Sequence, residues 1–325
     1  MATAALINRE IGITAIADSD LASLEKLFDE QCAEWIELLK WDFKGPSMLI
    51  RDVARQRQLT GLVATRGATT VGFAYYLIEG SRCSIGDVYV SRACRGVGID
   101  GQLAAAVFDR LDRVSRVRRI ESQYVGVGNY EADALFQARG FQRLERNYML
   151  VDLDAVSSAD GLSIDPGGVS IRPWKKNDFS QAARVIHRSY HDTHDSSINT
   201  QYRTEEGCAD LLSILTDSVW CGDFVPQVSR VALRPSGSLV GVLIGSRVSH
   251  GVGHVGQISV HPASQAQGIG RRLLQSALSE FRTLGFKSVT LAVTSANVNA
   301  VRLYESCGFR TIHSFPVFYR EKKGT

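Results

Sequence analysis

The sequence repeats itself about halfway along, and this repeat restricts the chain to folds built from two similar units. VSRACRGVGIDGQL at residues 90–103 matches VHPASQAQGIGRRL at residues 260–273. GNYEADALFQARGF at 128–141 matches ANVNAVRLYESCGF at 296–309, and ITAIADSDL at 13–21 resembles IRPWKKNDF at 171–179. Three matches in the same order indicate an internal duplication.

A segment rich in turn-forming residues separates the two copies. Residues 156–168 read VSSADGLSIDPGG, in which Ser, Gly, Asp and Pro each disfavour the interior of a helix or strand. We therefore predict an N-terminal domain over residues 1–156, a linker over 157–168 and a C-terminal domain over 169–325.

Each copy shows alternating strand and helix signals, which predicts a mixed α/β class. Short strands are expected near residues 70–76 and 238–246, with further strands ending at Val90 and Val260. Each of the last two leads into a glycine turn and a helix. In the second helix five apolar residues share one face, Gly285 stands where a C-cap glycine belongs, and a strand is expected over Ser288–Thr294. The five residues are Leu273, Leu274, Ala277, Leu278 and Phe281.

Composition excludes several classes of function. The chain has 325 residues, of which 44% are hydrophobic and 22% charged, as expected of a globular protein. No apolar run approaches the roughly 18 residues needed to span a bilayer, so no membrane association is expected. The six cysteines form no CxxC pair, which disfavours zinc ribbons and is typical of a reducing cytoplasm. A formal charge of +3 does not favour nucleic acid as a partner.

The glycine turn of the second copy has the character of a phosphate-binding loop. Gln265-Ala266-Gln267-Gly268-Ile269-Gly270-Arg271 follows a predicted strand and opens a helix. The first turn of a helix carries unpaired N–H groups and the positive end of the helix dipole. Glycines there allow a diphosphate to approach the backbone closely, although a plain strand-to-helix turn would have a similar sequence.

The wider pattern is more specific. Downstream of the loop come a helix, a strand and the motif Asn297-x-x-Ala300-x-x-Leu303-Tyr304-x-x-x-Gly308-Phe309. Together these resemble the GNAT N-acetyltransferase superfamily over most of residues 169–320. The resemblance implies two tandem GNAT-like domains, each a mostly antiparallel, splayed central sheet flanked by helices. It also implies acetyl-coenzyme A as cosubstrate and an amine as acceptor.

Site residues follow from the resemblance. It implies that the backbone from Ala266 to Arg271 holds the pyrophosphate, and that Tyr304 protonates the departing thiolate. Tyr304 would otherwise be a core aromatic. The contacts implied for the cosubstrate are made by Ile258, Ser259, Val260, Gln265, Ala266, Gln267, Gly268, Ile269, Gly270, Arg271 and Asn297.

The expected proton acceptor is harder to place. Many relatives carry Glu on the strand after the loop helix, where this sequence has Ala292. Others carry Glu on the strand before the loop, where this sequence has His254. A histidine can accept a proton near neutral pH, so His254 is the candidate base; the alternative is a strand-edge histidine without a role.

The first copy departs from the pattern at two positions. Asp100 replaces Gly270, which introduces a carboxylate where diphosphate would bind, and Phe136 replaces Tyr304. Arg95 and Asn129 remain. We therefore expect the N-terminal domain to be degenerate and the C-terminal domain to hold the active site.

Two other motifs suggest different ligands. Residues 96–101 spell GxGxxG, with Glu121 twenty residues later, but this sequence lies too far into the chain for a dinucleotide-binding unit. His187 and His191 share a helix face, yet no zinc motif accompanies them. No metal is predicted; the segment around them is expected to be solvated or to line the acceptor site, and residues 196–207 are a further candidate for that lining.

The sequence thus predicts an N-acetyltransferase that works by direct attack of an amine, without a covalent enzyme intermediate. The alternative is an acyl-coenzyme A sensor or assembly module without turnover. A tandem enzyme of mycothiol formation shares the duplicated layout, but only the general motifs support that substrate. The acceptor and the oligomeric state are left open.

Overall fold

The structure of the protein is a computed structural model that describes residues 11–123, 131–155 and 168–322. The linker predicted at 157–168 lies almost wholly outside these residues, so the predicted domain limits stay a prediction, and Asn129 lies outside them too. Chain contacts divide the structure into two compact units. The first comprises Met1–Glu37, Pro46–Glu145 and Phe315–Thr325; the second comprises Leu38–Gly45 and Arg146–Ser314.

The first unit is built on a six-stranded sheet in the order β1-β2-β3-β4-β5-β13. Its strands are β1 (Ile11–Ala15), β2 (Gly61–Arg66), β3 (Thr69–Glu79), β4 (Arg82–Val90), β5 (Arg119–Ser122) and the later part of β13 (Arg310–Glu321). Its helices are α1 (Leu21–Leu39), α2 (Lys44–Arg55), α3 (Ile99–Asp112) and α4 (Glu131–Ala138). Only β4 and β5 pair in parallel; the other neighbours are antiparallel.

The second unit repeats this plan in the order β6-β12-β11-β10-β9-β7, with β8 on β10. Its strands are the later part of β6 (Gln142–Asp152), β7 (Ser170–Pro173), β8 (Asp223–Phe224), β9 (Arg230–Leu233), β10 (Leu239–Ser249), β11 (Val252–Val260) and β12 (Ser288–Thr294). Its helices are α5 (Phe179–Tyr190), α6 (His194–Ile198), α7 (Glu205–Asp217), α8 (Ile269–Thr283) and α9 (Val298–Ser306). The mixed class with largely antiparallel strand pairing in each unit is confirmed.

Helix α8 forms where the apolar spacing predicts it. Its buried face contains the five predicted residues from Leu273 to Phe281, and Gly285, with a φ of 82°, follows its end. Phe281 lies over β10 and β11, where Gly245 and Gly253 leave room: a Cβ on Gly253 would be 2.4 Å from the Phe281 ring. The two strand glycines thus allow α8 to pack closely on the sheet that carries the site.

The pairing of β11 with β12 is incomplete. These strands run in parallel from Val252 and Ser288 only as far as Val255 and Leu291. Beyond that point β12 stays paired with β6, while β11 stays paired with β10. A bulge at Gly256 accompanies the separation, and Gly86 in the first unit occupies the same place in β4. The predicted splay of the sheet is therefore present. No helix among the described residues is long and apolar enough to cross a membrane.

Candidate active site

A cavity of about 680 Å³ opens where β11 and β12 separate. It lies within the second unit and is bounded by both strands, the turn before α8, helix α9, and side chains from α5, α6 and β6. The sequence-predicted residues found in its lining are Ile258, Ser259, Val260, Gln265, Ala266, Gly268, Ile269, Gly270, Arg271, Asn297 and Tyr304. Gln267 and His254 are not among the lining residues.

The turn before α8 has the shape of an anion-binding loop. Gly268 has a φ of 77° and Ala266 a φ of 60°, so the chain passes through the left-handed region twice. The side chain of Gln265 folds back and donates to the Val260 carbonyl at 3.0 Å. The first helical bond runs from the Arg272 amide to the Gly268 carbonyl, so the amides just before Arg272 have no helical acceptor. They are suited to a diphosphate.

Helix α5 holds the edge of β11 that faces the splay. The hydroxyl of Ser189 donates to the Val260 carbonyl at 2.9 Å, and that of Tyr190 donates to the Ile258 carbonyl at 3.3 Å. Tyr190 stacks on Tyr202, with ring centroids 4.2 Å apart. These contacts satisfy carbonyls that β12 does not reach, which leaves the amides of the same stretch as donors for a ligand.

Tyr304 lies on α9 with its side chain buried against the cavity. Burial raises the pKa of its phenol far above the usual value, and the negative charge of Asp195 contributes to the rise. The phenol therefore stays protonated throughout the neutral range, as a proton donor must. Asn297, which also lines the cavity, caps this helix by accepting the Ala300 amide at 3.2 Å.

His254 occupies a different environment from the one predicted. It is buried on β11 beside Trp41, and its Nδ1 lies 2.9 Å from the Thr290 hydroxyl. The same hydroxyl lies 3.2 Å from the Gly253 carbonyl and accepts from the Tyr148 hydroxyl at 3.0 Å. Burial lowers the pKa of the imidazole to about 3. The role of His254 as the base stays a prediction. Two observations disfavour it: the residue lies outside the cavity lining, and its imidazole binds a proton weakly.

The lowered pKa gives a stability prediction. The unfolded chain protonates His254 below about pH 6.5, whereas the folded chain resists protonation until about pH 3. Lowering the pH from 7.5 to 5 should therefore cost about 2 kcal/mol of unfolding free energy at this site. In His254→Gln, the free energy of unfolding, measured by urea denaturation at pH 7.5 and pH 5, should decrease correspondingly less. His250→Gln, which alters an exposed imidazole, is the control; equal decreases in all three proteins would contradict the prediction.

Sequence reasoning missed several lining residues. The most important is Asp195, which follows the His187–His191 segment and is the carboxylate of the cavity lining within the described residues. Arg146 on β6 also contributes, although it belongs to the first half of the sequence. The sequence signal that could have identified Asp195 is its position in a segment that is a candidate for lining the acceptor site. Nothing in the sequence indicates that Arg146 lies at the cavity.

The alternative ligands find little support in these geometries. Glu121 is buried and accepts from Arg119 at 2.5 Å. His187 and His191 pack edge to face, with ring centroids 5.4 Å apart. Across residues 11–123, 131–155 and 168–322, no three His, Cys, Asp or Glu side chains are grouped so as to hold a metal ion.

Comparison with known proteins identifies the class. The profile described as "Acetyltransferase (GNAT) family" matches residues 21–141 and again 198–309. The chain belongs to this family and is an N-acetyltransferase. Members of this family generally use acetyl-coenzyme A as the acetyl donor.

Individual relatives match most of the chain. A mycothiol acetyltransferase from Thermobispora bispora is 28% identical over 78% of this chain and 81% of its own length. One from Pseudarthrobacter chlorophenolicus is 24% identical over 75% and 72%. A GCN5-related N-acetyltransferase from Sphaerobacter thermophilus has the same fold, with a TM-score of 0.66, 18% identity and 96% of each chain covered. A tandem GNAT protein from the clavulanic acid biosynthesis pathway gives a TM-score of 0.57, 16% identity and coverage of 96% and 98%.

Proposed function

We propose that the chain transfers the acetyl group of acetyl-coenzyme A directly to an amine, in the cavity of the second unit. One observation carries this proposal: a single cavity contains the anion-binding loop, the splayed stretch of β11 and the phenol of Tyr304. The loop amides would bind the pyrophosphate. The amides of Ile258 and Val260, on the edge of β11 that faces the splay, lie where the pantetheine arm and the thioester oxygen would need donors.

The chemistry asked of the protein is positioning and proton management. Holding an amine against the thioester turns a bimolecular reaction into an effectively unimolecular one. A strand amide that donates to the carbonyl oxygen stabilises the charge developing there. Tyr304, kept protonated by burial, would give its proton to the sulfur as the carbon–sulfur bond breaks. No covalent intermediate on the protein is needed.

The first unit supports assignment of the activity to the second. Asp100 is buried in the first turn of α3, where the second unit has Gly270. Phe136, at the position of Tyr304, packs between Phe108, Phe141 and Phe318. Arg95, at the position of Gln265, pairs with the buried Glu34 at 2.8 Å. The first unit therefore lacks the glycine and the phenol on which binding and proton transfer would depend in the second.

Release of free thiol from acetyl-coenzyme A tests the proposal. A panel of glucosamine, a peptide α-amine and a lysine side chain should include an amine that accelerates release and appears as its acetamide by mass spectrometry. Calorimetry with coenzyme A should give a stoichiometry near one per chain. Tight binding without acetylation of any amine would favour the sensor alternative, and two equivalent sites would contradict the assignment to the second unit.

One second candidate concerns the acceptor. Relatives named mycothiol acetyltransferase match about three quarters of this chain. Relatives named for other acceptors match shorter parts of it. The amine precursor of mycothiol is therefore the favoured acceptor. Adding that precursor to the panel tests the candidate. A kcat/KM no higher than that for glucosamine would remove it.

A further inference from the structure

Asp195 is a carboxylate in the lining of the cavity, where two side chains hold it in position. It is only 7% exposed. The hydroxyl of Thr294 donates to its Oδ1 at 2.6 Å, and Nη2 of Arg146 lies 3.5 Å from the same oxygen. Both contacts involve Oδ1, and among the described residues Oδ2 receives no hydrogen bond. The side chain therefore retains an oxygen that can accept a hydrogen bond, and the residue lines the cavity.

The contact with Thr294 holds Asp195 against β12, the strand on which the acetyl transfer would need a proton acceptor. Thr294 lies two residues beyond Ala292, so both side chains are on the same face of β12, and both line the cavity. Ala292 itself offers no basic atom, and His254 lies outside the lining. Helix α6 thus brings a carboxylate to the face of β12 from a different part of the chain.

The negative charge of Asp195 contributes to the raised pKa of Tyr304, the proposed acid. Burial is the main cause of the raised pKa of both Tyr190 and Tyr304, and the negative charge of Asp195 adds to each. Arg146 faces Asp195 from β6, while the phenols of Tyr190 and Tyr202 face it from α5 and the segment before α7. Burial raises the pKa of both phenols, and the positive charge of Arg146 reduces that rise. A carboxylate, an arginine and protonated phenols therefore surround the space in which an acceptor would meet the thioester.

We propose that Asp195 binds the cationic amino group of the acceptor and accepts its first proton; this role rests on the proposed function. The ammonium gives one proton to Oδ2, from which it passes to solvent. The neutral nitrogen then forms the carbon–nitrogen bond, the carbon–sulfur bond breaks, and sulfur takes the Tyr304 proton. The second proton leaving nitrogen restores the phenol. One acetamide, one thiol and one released proton balance the reaction.

Asp195→Asn tests this role because it keeps the shape and removes the charge. For any amine that the wild-type chain acetylates, kcat/KM at pH 7 should decrease about 10²-fold, with coenzyme A affinity changed less than about twofold. The decrease should shrink above the pKa of the amine, where the acceptor is already neutral. Asp192→Asn is the matched control: it removes the same charge from a neighbouring side chain that is 88% exposed.

Thr294→Val provides a second test that leaves the charge in place. Loss of the orienting hydroxyl should reduce kcat/KM by about tenfold with the same pH trend, and a variant with the wild-type rate would count against the role. An unchanged Asp195→Asn rate, or an equal loss below and above the pKa of the amine, would overturn the role of Asp195 alone. A wild-type chain that binds coenzyme A but acetylates no amine would overturn the proposed function with it.

Discussion

Gly270→Asp should weaken coenzyme A binding by about 10²–10³-fold, since a carboxylate about 4 Å from a diphosphate costs on the order of 3–4 kcal/mol in a partly buried site. Gly270 lies in the first turn of α8 and lines the cavity. The new charge would also oppose the anion-binding end of the helix. Calorimetric titration of coenzyme A into the purified variant measures the effect.

The matched control is Gly270→Ala. A Cβ at Gly270 would lie 3.4 Å from Cδ2 of Leu303 and 3.8 Å from Cγ2 of Val260, which are ordinary van der Waals contacts. The alanine variant should therefore keep its affinity within about threefold, since a methyl group in this space removes no donor from the loop. Equal losses in the two variants would indicate steric exclusion and contradict the electrostatic argument.

The first unit has an aspartate at the position equivalent to Gly270. Asp100 is accommodated in the first turn of α3 and is 2% exposed. An aspartate at this helix position is therefore compatible with the fold, and Gly270→Asp is expected to remain folded. A thermal unfolding midpoint close to that of the wild type would confirm that any loss of affinity is local.

Tyr304→Phe should lower kcat by about 10²-fold while leaving the coenzyme A dissociation constant within about twofold. The hydroxyl acts only as charge develops on sulfur, so ground-state binding should not change. A thiolate leaves fairly well unaided, which places the expected effect at the low end of the range for a positioned acid. Pre-steady-state measurement of acetamide formation reports the chemical step directly.

The control for this variant lies in the packing of the ring. Tyr304 is buried beside Phe309, with ring centroids 6.0 Å apart, and phenylalanine keeps these contacts. Phe136 occupies the corresponding position of the first unit. Full kcat with a substrate limited by chemistry would make Tyr304 a packing residue and end its assignment as the acid.

The sequence predicts the features that local patterns determine. The repeat, the loop before α8, the buried face from Leu273 to Phe281 and the strand Ser288–Thr294 all depend on short spacings, and the structure contains each of them. Residues brought together by long-range pairing could not be predicted in this way. Asp195 and Thr294 are far apart in sequence, and only the fold places their side chains 2.6 Å apart.

His254 illustrates a different limit. Its position in the strand indicates a candidate base, because the resemblance to the family specifies which residue stands there. Whether a strand histidine faces a cavity or an aromatic core depends on what packs against that face. Trp41, from a segment more than 200 residues earlier, packs against His254, and burial lowers its pKa to about 3.

The path of the chain has a consequence for biosynthesis. In the first unit, β5 pairs on one side with β4 and on the other with residues 318–321 of β13. Roughly 200 residues separate β5 from that partner, so a ribosome working at about 5–20 residues per second needs some 10–40 seconds to supply it. During this time the nascent chain exposes an open strand edge, which is prone to intermolecular pairing. The unit translated first is therefore completed last.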